Sequence, residues 1–188
     1  MKWIGERISF VDDKEKSTFV IYPTTQTWVK GLMGAWCAMW LVIGLTTIWY
    51  SLTHKLTDQE NIIIVVFLSF WAYYASKVGR SYFWILWGKE LIKVNEAALF
   101  YKRSVKQFGK STPYYLENIK KIRLYQPKEN SLQAVWETSP WVRGGERLEF
   151  DYLGKTIRFG RKLNEKDAKL FFNVLTKKVE ERLRKVKN

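Results

Sequence analysis

Apolar positions along this chain follow three regimes: two brief alternating runs, a long unbroken block, and then a series of short β-type runs closed by a helical stripe. The first runs, Ile8 to Val11 and Thr18 to Tyr22, flank Asp12-Asp13-Lys14-Glu15-Lys16 and predict a β-hairpin ending at Pro23. If both termini share a side, that hairpin can extend an edge of a later sheet. The block then opens with Gly31 to Leu52, 22 residues without a charge, enough for a helix to cross a hydrocarbon core. Trp28 before it and Trp49 and Tyr50 at its end fall where amphipathic rings favour the two interfaces.

After the polar connector Thr53 to Glu60, the run from Asn61 to Ser76 has only 16 residues. Lys77 can snorkel and Val78 can extend it, giving a second span over 61–78. A helical hairpin buried in a soluble protein is the competing reading, and the uninterrupted first run argues against it. Ser81 to Trp87 (SYFWILW) fits an interfacial collar or the continuation of a tilted second helix, and also the first strand of the domain that follows. Gly31 and Gly34, then Ala35 and Ala38, offer small surfaces for close helix contact.

Beyond Gly88 the period shortens. Glu90 to Val94, Leu99 to Lys106, Thr112 to Glu117, Ile119 to Gln126, Arg147 to Leu153 and Thr156 to Leu163 read as successive antiparallel strands. Asn95-Glu96, Phe108-Gly109-Lys110 and Gly154-Lys155 mark the reversals. The period then changes to helical: Asn164 is suited to an N-cap, and Ala168, Phe171, Phe172, Leu175, Val179, Leu183 and Val186 form one apolar stripe. Between Pro127 and Gly145 lies a long loop carrying Trp136 and Trp141, which either present indoles to a partner or pack on the domain's own core.

The segments GKELIKVNEAALFYKR, YYLENIKKIRLYQ and LEFDYLGKTIRFGRKLNEKDAKLFFNVL, about six strands and one C-terminal helix, resemble the pleckstrin-homology-like (PH-like) fold. With the two spans before them, they resemble the small bacterial membrane proteins that join a helical hairpin to such a domain. The implied fold class is an α+β membrane protein: a two-helix transmembrane hairpin plus a PH-like antiparallel sheet or barrel closed by an amphipathic helix. The implied domains are an N-terminal segment over 1–30, a transmembrane hairpin with its aromatic collar over 31–87, and a PH-like domain over 88–188.

Charge sharpens this division. Residues 1–30 carry five bases and four acids, whereas 77–188 carry 26 bases and 12 acids, so the net +14 belongs to the C-terminal part. Lys30, Lys77, Arg80 and Lys89 flank the spans on one side, against Lys55, Asp58 and Glu60 in the connector, so the positive-inside bias places both termini in the cytoplasm of an inner-membrane protein. The first apolar run begins about thirty residues in, later and longer than a signal-peptide core, and is expected to stay in the mature protein.

Catalytic parts are scarce. His54 is the sole histidine and Cys37 the sole cysteine, so no Ser/His/Asp triad, internal disulfide or Cys/His metal site is expected, nor any cofactor. Glu146, Glu149 and Asp151 lie on one strand and read as a solvated face. The bases are the better lead. Lys93, Lys102, Arg103, Lys106 and Lys110 gather on the first hairpin of the domain, which in the wider PH superfamily binds phosphoinositides. Lys155, Arg158, Arg161 and Lys162 form a second cluster on and after the last turn. The functional expectation is a non-catalytic, membrane-anchored scaffold that docks a protein partner or anionic lipid, with Trp136 and Trp141 as further contacts. The alternative is an accessory or assembly subunit of a larger membrane complex. Nucleic acid is disfavoured as a partner by the tether.

Overall fold

The computed structural model describes residues 2–13, 15–23, 25–126, 135, 139–142 and 144–187. It is an α+β structure with two compact units, one built of antiparallel sheets and one of two long apolar helices.

The sheet unit gathers both ends of the chain. Strands β1 (Lys2–Ile4), β2 (Ile8–Asp12), β3 (Ser17–Ile21), β4 (Gly88–Val94), β5 (Ala98–Val105) and β6 (Ser111–Tyr115) form one sheet in that order. Strands β7 (Ile119–Leu124), β8 (Glu146–Tyr152) and β9 (Lys155–Arg161) form a second. The N-terminal hairpin enters the larger sheet through β3, with Ser17 opposite Val94, Phe19 opposite Ile92 and Ile21 opposite Glu90. The two sheets stay separate, so the barrel named as one expectation is not closed: a single 3-10 turn, Leu116–Asn118, carries the chain from β6 in one sheet to β7 in the other.

Helix α3 (Glu165–Lys187) starts where the sequence signals it. The Asn164 side-chain oxygen accepts the Asp167 backbone N–H at 2.6 Å, satisfying one of the donors a helix start leaves open. Its apolar stripe meets both sheets: Phe171 lies edge-on to Phe19 at 5.3 Å and to Phe159 at 6.2 Å. Phe159 in turn approaches Phe150 at 5.8 Å and Tyr101 at 6.1 Å, so an aromatic chain joins the inner faces. Burying each such ring contributes about 2–3 kcal/mol relative to leaving it in water.

Where the sheets meet, Glu90 is fully buried. Its carboxylate accepts the Gly160 N–H at 2.7 Å and lies 3.9 Å from the Arg161 guanidinium. Burial raises the Glu90 carboxyl, against the pull of Arg103, the Gly160 N–H and Arg161. Arg7 closes the same end, donating to the backbone carbonyls of Tyr22 at 2.8 Å and of Lys162.

In the helical unit, α1 (Thr27–Thr53) and α2 (Asp58–Trp87) are each long and apolar enough to cross a bilayer. The second helix runs well past 78 and absorbs Ser81 to Trp87, which settles the open choice between helix and strand there. It begins at a reciprocal cap: the Glu60 carboxylate accepts the Thr57 N–H at 2.8 Å, and the Thr57 hydroxyl accepts the Glu60 N–H at 3.4 Å. Between the helices, the Trp40 indole donates to the Trp71 carbonyl at 3.1 Å and the Trp71 indole donates to the Trp40 carbonyl at 2.7 Å. Gly44 makes room for this, since a β-carbon there would lie 2.0 Å from the Trp71 ring. Gly34 likewise lies under Tyr82, whereas Gly31 faces open space.

Two outcomes test these contacts. Gly44→Leu should unfold more readily than wild type by about 2 kcal/mol, the usual cost of overpacking, while Gly31→Leu should not. Thermal exposure of Cys37 to a thiol-reactive dye in detergent reads both. Glu90→Ala, which strips nearby guanidiniums of a carboxylate and the Gly160 N–H of its acceptor, should cost the sheet unit about 3 kcal/mol, read by hydrogen exchange of its strand amides, with Glu90→Gln retaining part of that.

Candidate functional site

Strand alternation divides the predicted basic residues between opposite faces. In the β4–β5 register, Lys93 lies opposite Phe100, Leu91 opposite Lys102 and Lys89 opposite Ser104, all on the outer face. Glu90 opposite Arg103, Ile92 opposite Tyr101 and Val94 opposite Leu99 point inward. Lys93 and Lys102 are thus brought together, and Lys89, which the sequence reading left out of the cluster, joins them. The Lys93 ammonium lies 5.9 Å from the Phe100 ring centroid.

The same face continues across the sheet. Val20 and Thr18 of β3 lie beside Leu91 and Lys93, Val11 of β2 beside Thr18, and Pro113 of β6 beside Phe100. Trp3 on β1 and Tyr115 on β6 stand at its margins, 57% and 56% exposed. Among the described residues this face carries lysines, apolar groups and hydroxyls, and no Asp or Glu. A sheet face in water is ordinarily polar with charges of both signs. Here the charge has one sign and the remainder is largely apolar.

Arg103 is not part of that face. It donates to the Glu146 carboxylate at 3.0 Å and to the Arg158 carbonyl at 2.8 Å, and its guanidinium lies over the Tyr101 ring at 5.3 Å. Burial, then the nearby Glu90 charge, pushes the Tyr101 hydroxyl up.

Lys106 and Lys110 belong to the β5–β6 turn. Lys106 adopts φ 55°, its N–H donates to the Trp87 carbonyl at 2.9 Å, and its ammonium lies 4.6 Å from the Trp87 ring centroid. Phe108 stands at the tip, 82% exposed.

The second predicted cluster is dispersed. Lys155 begins β9 at the exposed Leu153-Gly154 turn. Arg158 pairs with Glu149 at 3.0 Å and lies over the Tyr125 ring at 4.0 Å. Arg161 pairs with Glu146 at 2.9 Å. Glu149 also takes Arg123 at 2.6 Å, and Asp151 takes Arg123 at 3.2 Å. The β8 carboxylates, expected as a solvated face, therefore form an arginine ladder that engages two of this cluster's four bases, Arg158 and Arg161. Burial works to raise the Glu146 carboxyl, and Arg161 and Arg103 outweigh it, leaving it below the usual carboxylate range.

Lys162 is half-buried, with φ 51°, and its ammonium donates to the Ser139 carbonyl. Burial, followed by repulsion from Arg161 and Arg7, pushes it down to about 8. Trp141 is half-buried in the helical unit, edge-on to Trp36 at 5.6 Å and packed with Met33, Val78 and Ile85. Trp136 lies outside the described residues.

Comparison of the chain with protein-family models, with curated proteins and with solved structures finds no match.

The Lys162 geometry has a measurable consequence. Between about pH 8 and 10.5 the unfolded chain holds a proton on this amine that the folded chain has released, so its contribution to stability rises with pH across that window. Lys162→Met should melt higher than wild type at pH 7, and the gap between their melting temperatures should narrow from pH 8 to 10.5. A gap independent of pH would refute the assignment.

Proposed function

We propose that this chain is an integral membrane protein of the bacterial inner membrane. In this reading α1 and α2 cross the bilayer as a hairpin, and the sheet unit is a cytoplasmic, PH-like, non-catalytic module that docks an acidic protein partner. The observation that carries the docking role is the outer face of the larger sheet, where Lys89, Lys93 and Lys102 surround Leu91 and Phe100 without a carboxylate among the described residues. An apolar patch rimmed by one sign of charge fits a partner that buries its centre and offers acids at its margin.

Several features support the remainder. Leu41, Val42 and Leu45 on α1 and Ile62, Ile63, Val65 and Phe70 on α2 are all exposed, as lipid-facing side chains are and core side chains are not. The pairing of β3 with β4 returns the chain to its starting sheet after the helices, which supports a reading with two crossings and both termini on one side. The bases flanking the helices outnumber those of the connector, which favours the cytoplasm. The two meanders β4–β5–β6 and β7–β8–β9, followed by α3, match the strand and helix order that the PH-like resemblance implies. A non-catalytic role accords with the chemistry on view: Glu90, Glu146 and Glu149 are engaged by arginines, and His54 stacks on Tyr50 at 4.3 Å.

In-cell photocrosslinking of the full chain tests this. A crosslinking amino acid at Leu91 or Tyr115 should trap a discrete protein product, and the same group at Leu170, exposed on α3, should not. Combined K89E, K93E and K102E should lower the yield about tenfold or more, because like charges brought together at an interface cost several kcal/mol. The same product from all three positions, or none from Leu91 and Tyr115, would sink the docking role.

A further inference from the structure

The β5–β6 turn stands apart from the flat outer face in shape and in chemistry. Phe108 projects from its tip with 82% of its surface exposed, more than Leu153 at the β8–β9 turn or Trp3 and Tyr115 at the margins of the outer face. The turn is tightly built: Val105 and Phe108 exchange backbone hydrogen bonds at 3.0 and 3.1 Å. Gly109, at φ 151°, packs where a β-carbon would lie 2.1 Å from the Arg103 carbonyl. Lys106 holds a left-handed conformation that costs a non-glycine residue energy, and it does so pinned to Trp87 by its N–H and its ammonium. Phe108 is therefore presented by a braced turn.

Charge around the tip has one sign. From Ala97 to Tyr115 there is no Asp or Glu, and with Arg103 turned inward to Glu146, the bases left on this stretch are Lys102, Lys106 and Lys110, with Lys89 beside them opposite Ser104. The Lys102 ammonium donates to the Gln107 carbonyl at 3.2 Å, which keeps it beside the turn. Trp87, the residue that braces the turn, is also the last residue of α2, and β4 starts at Gly88 with no linker between.

We propose that this turn is a lipid anchor: Phe108 inserts at the boundary of headgroups and acyl chains in an anionic leaflet, and Lys106 and Lys110 bind the lipid phosphates. The inference rests on the membrane reading above and adds to it a second point of attachment. One protruding ring is too small to hold a protein interface, which needs hundreds of square ångströms per partner, but it suits a bilayer already tethered through α2. Phosphates supply the negative charge that three lysines without a local acid require.

The test uses the full chain in nanodiscs, with Cys37→Ser and one environment-sensitive fluorophore on F108C, on L153C in the exposed β8–β9 turn, or on V65C in α2. Quenching by nitroxide-labelled lipids is compared between phosphatidylcholine alone and a mixture with phosphatidylglycerol. The label at 108 should be quenched several-fold more than the label at 153 and more strongly in the anionic mixture, and K106E with K110E should lower the quenched fraction about tenfold. Position 65 separates the two ideas: no quenching there means that the membrane reading has failed. Strong quenching at 65 with no more at 108 than at 153 overturns the anchor while leaving the span intact. Equal quenching at 108 in both lipid mixtures overturns its anionic character.

Discussion

Antiparallel pairing of β3 with β4 is the constraint on which the rest of the structure depends. It makes residues 22–87, the two long helices included, the connection between neighbouring strands of one sheet. Closing a long flexible loop costs entropy that grows with the logarithm of its length. A helical hairpin reduces that cost, because two antiparallel helices bring their outer ends together before any strand pairs. The sheet unit is consequently discontinuous in sequence, and its N-terminal strands gain their central partner only after both helices have been made.

Within the sheet unit the basic surplus is sorted by side-chain chemistry. Arg7, Arg103, Arg123, Arg158 and Arg161 all take fixed partners, carboxylates or backbone carbonyls, several of them at the seam between the sheets. A planar guanidinium suits that work because it satisfies several acceptors at once and keeps its charge when partly desolvated. Lys89, Lys93, Lys106 and Lys110 instead carry their charge on the outer face and the β5–β6 turn. Lys162 shows what happens when a lysine occupies an arginine-like place, since burial pushes its amine down to about 8. Net charge alone conceals this sorting: much of the surplus is structural, and the part free for recognition is smaller.

Much of the fold was legible because it is periodic. The strands near Glu90, Leu99, Thr112, Ile119, Arg147 and Thr156, the Asn164 cap and the α3 stripe lie within a few residues of their predicted places, each a local pattern of period 2 or 3.6. Sheet closure was not legible, because whether β6 continues to β7 is a long-range pairing that no local pattern records. Grouping Arg103 with Lys102 overlooked the alternation that puts adjacent residues on opposite faces, a signal the sequence did contain. The Thr57-x-x-Glu60 cap could have been read in the same way. Phe108, by contrast, looked like ordinary turn chemistry, since exposure depends on what fails to cover a side chain. Gly44 was invisible because its meaning lies in Trp71, on the other helix.

That last pair bears on how the chain is held in register. An indole N–H taken out of water without an acceptor is costly, and the reciprocal Trp40–Trp71 bonds satisfy both. They also fix the slide of α1 against α2, as do Gly44 under Trp71 and Gly34 under Tyr82. By this count, Trp28 and Lys30 near the start of α1 fall level with the final turn of α2. Within the sheet unit the β3–β4 ladder does the corresponding work, with Ile21 opposite Glu90 and Ser17 opposite Val94. A one-residue slip there would turn Phe19 and Ile21 from the core to the outer face, so each unit carries its own register lock, indole bonds in one and side-chain alternation in the other.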